Sequence, residues 1–202
     1  MDKYLRLVNF ENKFSDDMKE GFEFSKIDVN KDMNENKEFI ETETYEAFKK
    51  LQKKLLKKGV KLTLNSAGRT VEEQQEYFDK IVKEKGIEYA QNEVATPGYS
   101  EHHLGLAIDV RIRSSNMLSK LIAKLSNKDI IKTTHEALTE FGFILRYPKG
   151  LEHITGVKKY EPWHFRYVGV EHAKAMQDLG GLCLERYIEY LNLKEQEEQQ
   201  TV

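Results

Sequence analysis

Residues 100–112 read SEHHLGLAIDVRI, and the second part of that stretch decides the fold. In LGLAIDVRI (104–112), Leu104, Leu106, Ile108 and Val110 share one parity, while Gly105, Ala107 and Asp109 share the other. A strand turns successive side chains to opposite faces, so this run predicts one face in a core and one of small residues ending on a carboxylate. Small side chains on that second face clear space for something to approach the backbone. Two histidines, His102 and His103, stand just before the strand, and one of them can meet Asp109 at a single point. Strict alternation favours His103, which shares parity with Asp109. Pro97 and Gly98 lie just upstream, however, so Ser100–His102 can still belong to a turn where a period of two need not hold.

Further strands are predicted for VKLTL (60–64), FILRY (143–147), PWHFRYV (162–168) and the short YLRLVNF (4–10). Tyr45, Phe48, Leu51 and Leu55 recur at helical spacing, and Gly59 ends that helix. Thr70-Val71-Glu72-Glu73 is a capping box that opens a helix through about Lys85, with Tyr77, Phe78, Ile81 and Val82 facing the core and Gly86 closing it. Another helix is expected over roughly 119–141, and two more over about 170–178 and 184–195 before a frayed tail, KEQEEQQTV. The polar stretch from about 11 to 41 reads as irregular loop. Helices mixed with late, antiparallel-looking strands make the class α+β: a single domain with a small, mostly antiparallel sheet flanked by helices. Its expected parts are 1–59 packing on the core, a core over 60–180, and a C-terminal helix and tail over 181–202.

Length and composition set the outer limits. A chain of 202 residues suits one domain with a full core. Charged residues at 33% and a mean hydropathy of −0.67 give a soluble composition, without an 18-residue apolar run to span a membrane. A formal net charge of −2 gives no electrostatic support for nucleic-acid binding, and the lysines of KKLQKKLLKKG (49–59) read as a solvated helix face. Cys183 is the only cysteine, so no intramolecular disulfide or cysteine-rich metal site can form. With no signal-peptide pattern at MDKYLRLVNF, the expected location is cytoplasmic.

A second cluster, Glu161-Pro162-Trp163-His164-Phe165-Arg166-Tyr167, carries the remaining chemistry. Trp163, Phe165 and Tyr167 share the packing parity; His164 and Arg166 share the other. Pro162 keeps Glu161 out of regular pairing, which frees its carboxylate to turn toward His164. Two histidines and a carboxylate suffice to hold a catalytic zinc, and a nearby glutamate outside that set can take a proton from water. On spacing alone the plainer reading has the better claim: unrelated histidines, with Asp109 capping a strand end, because no HExxH helix is present.

Ser100–Asp109 fits S-x-H-x-x-G-x-A-x-D, and Glu161–His164 fits E-x-W-H. Together they resemble the zinc D-alanyl-D-alanine carboxypeptidases and dipeptidases of the VanY/VanX type. GFILRYPKGLEHITGVKKYEPWHFRYVG (142–169) is especially similar to the bifunctional VanXY enzymes, and Ser66–Arg69 matches their Ser-x-x-Arg element. The similarity is clear over about 60 to 170 and poor in the first forty residues. It implies zinc ligands His102, Asp109 and His164, one Zn2+ per chain, Glu161 as base and later acid, and Arg69 as the group that stabilises the oxyanion. It also implies Ser100 and Gln74 along the substrate cleft. The implied substrate is a peptidoglycan-precursor peptide or the D-Ala-D-Ala dipeptide. Ala67-Gly68 departs from the family, which usually has a glycine and an aromatic there. The competing functions are an L,D-carboxypeptidase, a cell-wall endopeptidase on the same scaffold, or a non-catalytic zinc-bearing module that binds cell-wall peptides.

The other candidates have plainer readings. Arg146 reads as a structural ion pair at least as well as a carboxylate binder. His135, His172 and His153 read as surface residues, and Cys183 as a small core hydrophobe.

Overall fold

The computed structural model describes residues 2–31, 34–115, 126–157 and 159–200. YLRLVNF is not a strand. It holds a 3-10 turn, Lys3–Leu5, capped by the Asp2 side chain. The carbonyls of Tyr4 and Arg6 accept from the Arg166 guanidinium, so a side chain takes the place of a strand neighbour. The polar stretch after it is not loop throughout. It contains the antiparallel hairpin β1 (Phe24–Lys31) and β2 (Asn34–Glu41). Ile27, Val29 and Ile40 are buried in the main core. An isolated hairpin with so few apolar residues would be marginal in water; docking onto the rest of the chain stabilises it.

Helix α1 (Thr42–Lys57) follows at once, because the Glu41 carboxylate accepts from the N–H groups of Glu43 and Thr44. Phe48, Leu51 and Leu55 form its buried stripe. Strand β3 (Val60–Ser66) leads to α2 (Val71–Lys85), which opens on the capping box between Thr70 and Glu73. In α2 only Gln74 and Ile81 are buried, and Tyr77 is exposed, contrary to its expected core role. A short α3 (Ile87–Glu93), not anticipated, packs against α2. Next come a 3-10 turn, Glu101–Leu104, and β4 (Ala107–Ser114). The expected helix over 119–141 appears as α4 (Asn127–Ala137) and a 3-10 turn over Thr139–Phe141; its expected start lies outside the described residues.

Strand β5 (Phe143–Leu145) and the single-turn α5 (Glu152–Thr155) precede β6 (His164–Tyr167). Helix α6 (Val170–Asp178) has the expected bounds, whereas α7 (Leu184–Gln200) continues through the tail read as frayed. The four-stranded antiparallel sheet has the order β3-β4-β6-β5. One of its faces sends Ile108, Val110, Phe165, Tyr167 and Phe143 into the core shared with α1 and α4. Ile144 belongs to a second cluster with α6 and α7. No described helix is long and apolar enough to cross a membrane.

Candidate metal centre

Asp109 and His164 sit directly opposite each other in the β4–β6 register. Opposed residues of an antiparallel pair have Cβ atoms about 5 Å apart, so this pairing alone brings carboxylate and imidazole together. His164 Nδ1 lies 3.0 Å from Asp109 Oδ1. His102 arrives differently. Glu101–Leu104 is a 3-10 turn closed by Gly105 in the left-handed region (φ 71°), so strand alternation does not apply before Ala107. His102 Nδ1 donates to the Ala67 carbonyl, which leaves Nε2 3.4 Å from Asp109 Oδ2. One donor atom from each of His102, Asp109 and His164 falls within 4.8 Å of the others.

His103 turns away from this group. It is fully buried, its Nδ1 donates to the Arg69 carbonyl at 2.8 Å, and its Nε2 accepts from Gly98 N–H at 3.1 Å. Burial holds its pKa below the ordinary imidazole value. The adjacent histidines therefore divide their work: one faces the site, and the other ties the Pro97-Gly98 loop to the Arg69 segment.

Ligand atoms on a tetrahedral zinc, at 2.0–2.2 Å from the ion, stand about 3.4 Å from one another. The spacings between Asp109 and the two histidines fit that requirement, as does the donor set of two imidazoles and a carboxylate. Electrostatics agree. Burial alone would raise the Asp109 carboxyl, but His102 and His164 outweigh it and hold the group well below the usual carboxylate range. Burial would lower the His164 ring; its hydrogen bonds to Asp109 and Glu101 push it up instead.

Glu161 Oε2 lies 3.7 Å from His164 Nδ1, on a turn closed by His164 N–H donating to the Glu161 carbonyl. Burial pushes the Glu161 carboxyl up, and Asp109 and Glu101 add to that against the opposing pull of His164. Arg69 joins from the other side: its backbone N–H donates to the His102 carbonyl. Its Nη1 donates to Gln74 Oε1 at 2.9 Å, and its buried Nε finds no acceptor among the described residues. Gln74 is itself buried, with its amide donating to the Ala95 carbonyl, so both ends of that side chain are engaged. Ser100 is buried at the start of the 3-10 turn. A cleft of about 600 Å³ among the described residues borders Asp109 and is lined by Asn65, Arg111, Ile130, Pro162 and Trp163. Trp163 is exposed there rather than packed with Phe165 and Tyr167, because the strand begins only at His164.

Two readings of small residues and histidines are revised. Gly105 does not open space for a ligand: a Cβ there would meet Phe24, Phe39 and the Glu41 backbone, so the β1–β2 hairpin fills it. His135 is not a free surface residue; its Nε2 donates to the Pro162 carbonyl and braces the Glu161–His164 turn. His172 likewise bonds Tyr187 Oη, whereas His153 is exposed. Sequence reasoning missed Glu101 and Glu185. Glu101 bonds His164 Nε2 at 2.8 Å and pairs with Arg146 and Arg166; Glu185 meets Arg146 with both carboxylate oxygens. Burial would raise the Glu101 carboxyl, yet Arg146, His164 and Arg166 hold it well below the usual range. An acid beside a histidine pair carries no recognisable spacing, and only the fold brings its partners.

The profile of the VanY family, D-alanyl-D-alanine carboxypeptidase, matches residues 37–170. Over 123 residues the chain is 38% identical to the bifunctional D-Ala-D-Ala dipeptidase and D-Ala-D-Ala carboxypeptidase VanXYC of Enterococcus gallinarum, covering 61% of this chain and 64% of that protein. Its fold matches a glutamate-to-alanine variant of the vancomycin resistance D,D-pentapeptidase VanY from a VanB-type cassette, solved in complex with Zn(II). The TM-score is 0.71 at 32% identity, over 93% of this chain and 99% of that one. It also matches the LdcB LD-carboxypeptidase, with a TM-score of 0.72 at 35% identity over 92% of this chain and 86% of the other. The chain spans 55%, 64% and 48% of the length of three curated relatives. With a profile match that runs through both histidine motifs and a fold shared along nearly the whole chain, this protein belongs to the VanY family of D-alanyl-D-alanine carboxypeptidases.

Proposed function

We propose that the protein is a zinc-dependent D,D-carboxypeptidase and D,D-dipeptidase that hydrolyses the D-Ala-D-Ala terminus of peptidoglycan precursors or the free dipeptide. The observation that carries this reading is the convergence of His102, Asp109 and His164 beside Glu161, in a chain of this family. His102 through Nε2, Asp109, and His164 through Nδ1 would hold one zinc ion. Such an ion would supply Lewis acidity, which polarises a carbonyl and brings the pKa of water toward neutrality.

Glu161 Oε2 accepts the proton released as water attacks the scissile carbonyl, then returns it to the leaving amine. The partial burial that raises its carboxyl suits this shuttling, since a base poised nearer neutrality is also a competent acid. Arg69, steadied by Gln74, directs its guanidinium at the oxygen that gains charge, where a preorganised donor is most valuable. Ser100 and the cleft beside Trp163 receive the peptide. The core of this machinery is assigned to 60–180, with the described residues of 1–59 and 181–202 packed on it. The single buried Cys183, without a disulfide partner, supports a reducing, cytoplasmic setting.

The L,D-carboxypeptidase reading is the nearest rival, because LdcB shares the fold as fully as the D,D enzyme does. A non-catalytic binding module would need neither Glu161 nor Arg69. The deciding experiment measures kcat/KM with zinc present on D-Ala-D-Ala, on a pentapeptide ending in D-Ala-D-Ala, and on a tetrapeptide ending in L-Lys-D-Ala. D-Alanine is expected to leave the D,D substrates fastest. Faster cleavage of the L,D bond reassigns the enzyme to the rival class, and no release from any of the three rejects the peptidase reading.

A further inference from the structure

We propose that Glu101 is the positioning residue of the metal centre, fixing the His164 ring so that Nδ1 faces the metal and Nε2 cannot. This rests on the metal reading of His102, Asp109 and His164. Glu101 Oε1 bonds His164 Nε2 at 2.8 Å, while His164 Nδ1 stands 3.0 Å from Asp109 on the opposite side of the ring. A histidine that binds a metal commonly donates its other N–H to a carboxylate, which fixes both tautomer and ring orientation.

Glu101 is itself immobilised. Its Oε2 accepts from Arg146 Nε at 2.8 Å and from Arg166 Nη1 at 3.3 Å, and both arginine side chains are completely buried. Each arginine is anchored again from outside. Arg146 forks onto Glu185 of α7 at 3.0 and 2.6 Å, and Arg166 Nη2 donates to the carbonyls of Tyr4 and Arg6. Asn9 Nδ2 holds Glu185 at 3.2 Å. The carboxylate at His164 is thus locked by groups from both ends of the chain, outside the 37–170 family match. Buried ion networks add little net stability, since apolar residues of similar volume often replace them without loss. Orientation of a metal-facing ring is a use that apolar residues could not serve. One 3-10 turn then supplies both parts: His102 faces the metal, and its neighbour Glu101 orients the other imidazole.

The test compares Glu101→Gln with Glu185→Gln. Both remove one negative charge beside Arg146, but only Glu101 touches His164. Zinc affinity is read by competition with a chromophoric chelator, together with the d–d spectrum of the cobalt-substituted protein and the melting temperature of the metal-free form. The expected result is a loss of zinc affinity of about ten- to a hundredfold and a shifted cobalt spectrum in Glu101→Gln. Glu185→Gln, which reaches His164 only through Arg146 and Glu101, should lose clearly less affinity than Glu101→Gln even where its melting temperature falls equally. If Glu101→Gln does not fold, Glu101→Asp is read instead, because it keeps the charge for the arginines and withdraws the carboxylate from Nε2. Unchanged zinc affinity in the folded Glu101 variant, or equal losses in both variants, overturns the proposal. A wild-type protein that binds no zinc overturns the metal reading itself.

Discussion

The paired histidines give the sharpest prediction, because the same substitution at adjacent buried positions should have opposite signatures. Replacing His103 with alanine removes the donor to the Arg69 carbonyl and the acceptor of Gly98 N–H. Each buried backbone group left unpaired costs about 1–3 kcal/mol. The ring also loses its packing against Phe14, whose centroid lies 5.3 Å away. Water entering the vacated space recovers part of this, so a net loss of about 3 kcal/mol is expected. For a chain of this length that lowers Tm by roughly 6–12 °C. Zinc should still bind, since His103 points away from the ligand group. His102→Ala should do the reverse. It gives up one backbone hydrogen bond and one of three metal donors, so the metal-free Tm changes less and the gain on adding zinc disappears. In wild type that gain corresponds to about 2.7 kcal/mol at a zinc concentration a hundred times Kd. Differential scanning fluorimetry with and without zinc, paired with elemental analysis, measures both effects. Zinc retained by His102→Ala but lost from His103→Ala would refute the assignment of the two rings.

Glu161→Gln should keep stoichiometric zinc and lose about 10²- to 10⁴-fold in kcat, because the amide keeps the shape but cannot accept a proton; near-normal turnover excludes the base role, and lost metal makes Glu161 a ligand. The His164 ring, pushed up to about 10 in the metal-free protein, must release its proton to bind zinc. Zinc affinity measured between pH 6 and 9 should therefore rise by up to about tenfold per unit, and a flat profile contradicts this. Because that pKa is raised on folding, its contribution to metal-free stability is complete below the ordinary value near 6.5 and is lost as pH climbs toward 10. Gly105→Ala should lower Tm by about 4–10 °C, since it forces a left-handed φ of 71° on an L side chain and sets its Cβ 2.9 Å from Phe24 and 3.2 Å from the Glu41 nitrogen. An unchanged Tm would show that the hairpin yields there at no cost.

The local, periodic features of the chain were legible without a structure. The apolar spacing of Phe48, Leu51 and Leu55, the Thr70–Glu73 capping box and the alternation in Ala107–Val110 each depend on residues a few positions apart, and each formed as read. The two separated motifs were readable through their resemblance to the patterns S-x-H-x-x-G-x-A-x-D and E-x-W-H, whereas the spacing of His102, Asp109, Glu161 and His164 alone favoured the plainer reading. Features that depend on distant partners were not readable. The β1–β2 hairpin has too little apolar pattern of its own and is held by burying Ile27, Val29 and Ile40 in the core, with Gly105 leaving room for Phe24 and Phe39. YLRLVNF alternates like a strand, yet its carbonyls are claimed by Arg166, some 160 residues later in the chain. Glu101 looks like a solvated acid between a serine and two histidines, and only the packing of Arg146, Arg166 and α7 around it makes it a buried carboxylate against His164. The sequence by itself determined the elements whose pattern is local, such as α1, α2 and the Ala107–Val110 part of β4, since short-range sterics and periodicity act within one element. The tertiary structure alone decided which imidazole nitrogen faces the site and what holds it there, because a buried charge is defined by the partners that the fold brings to it.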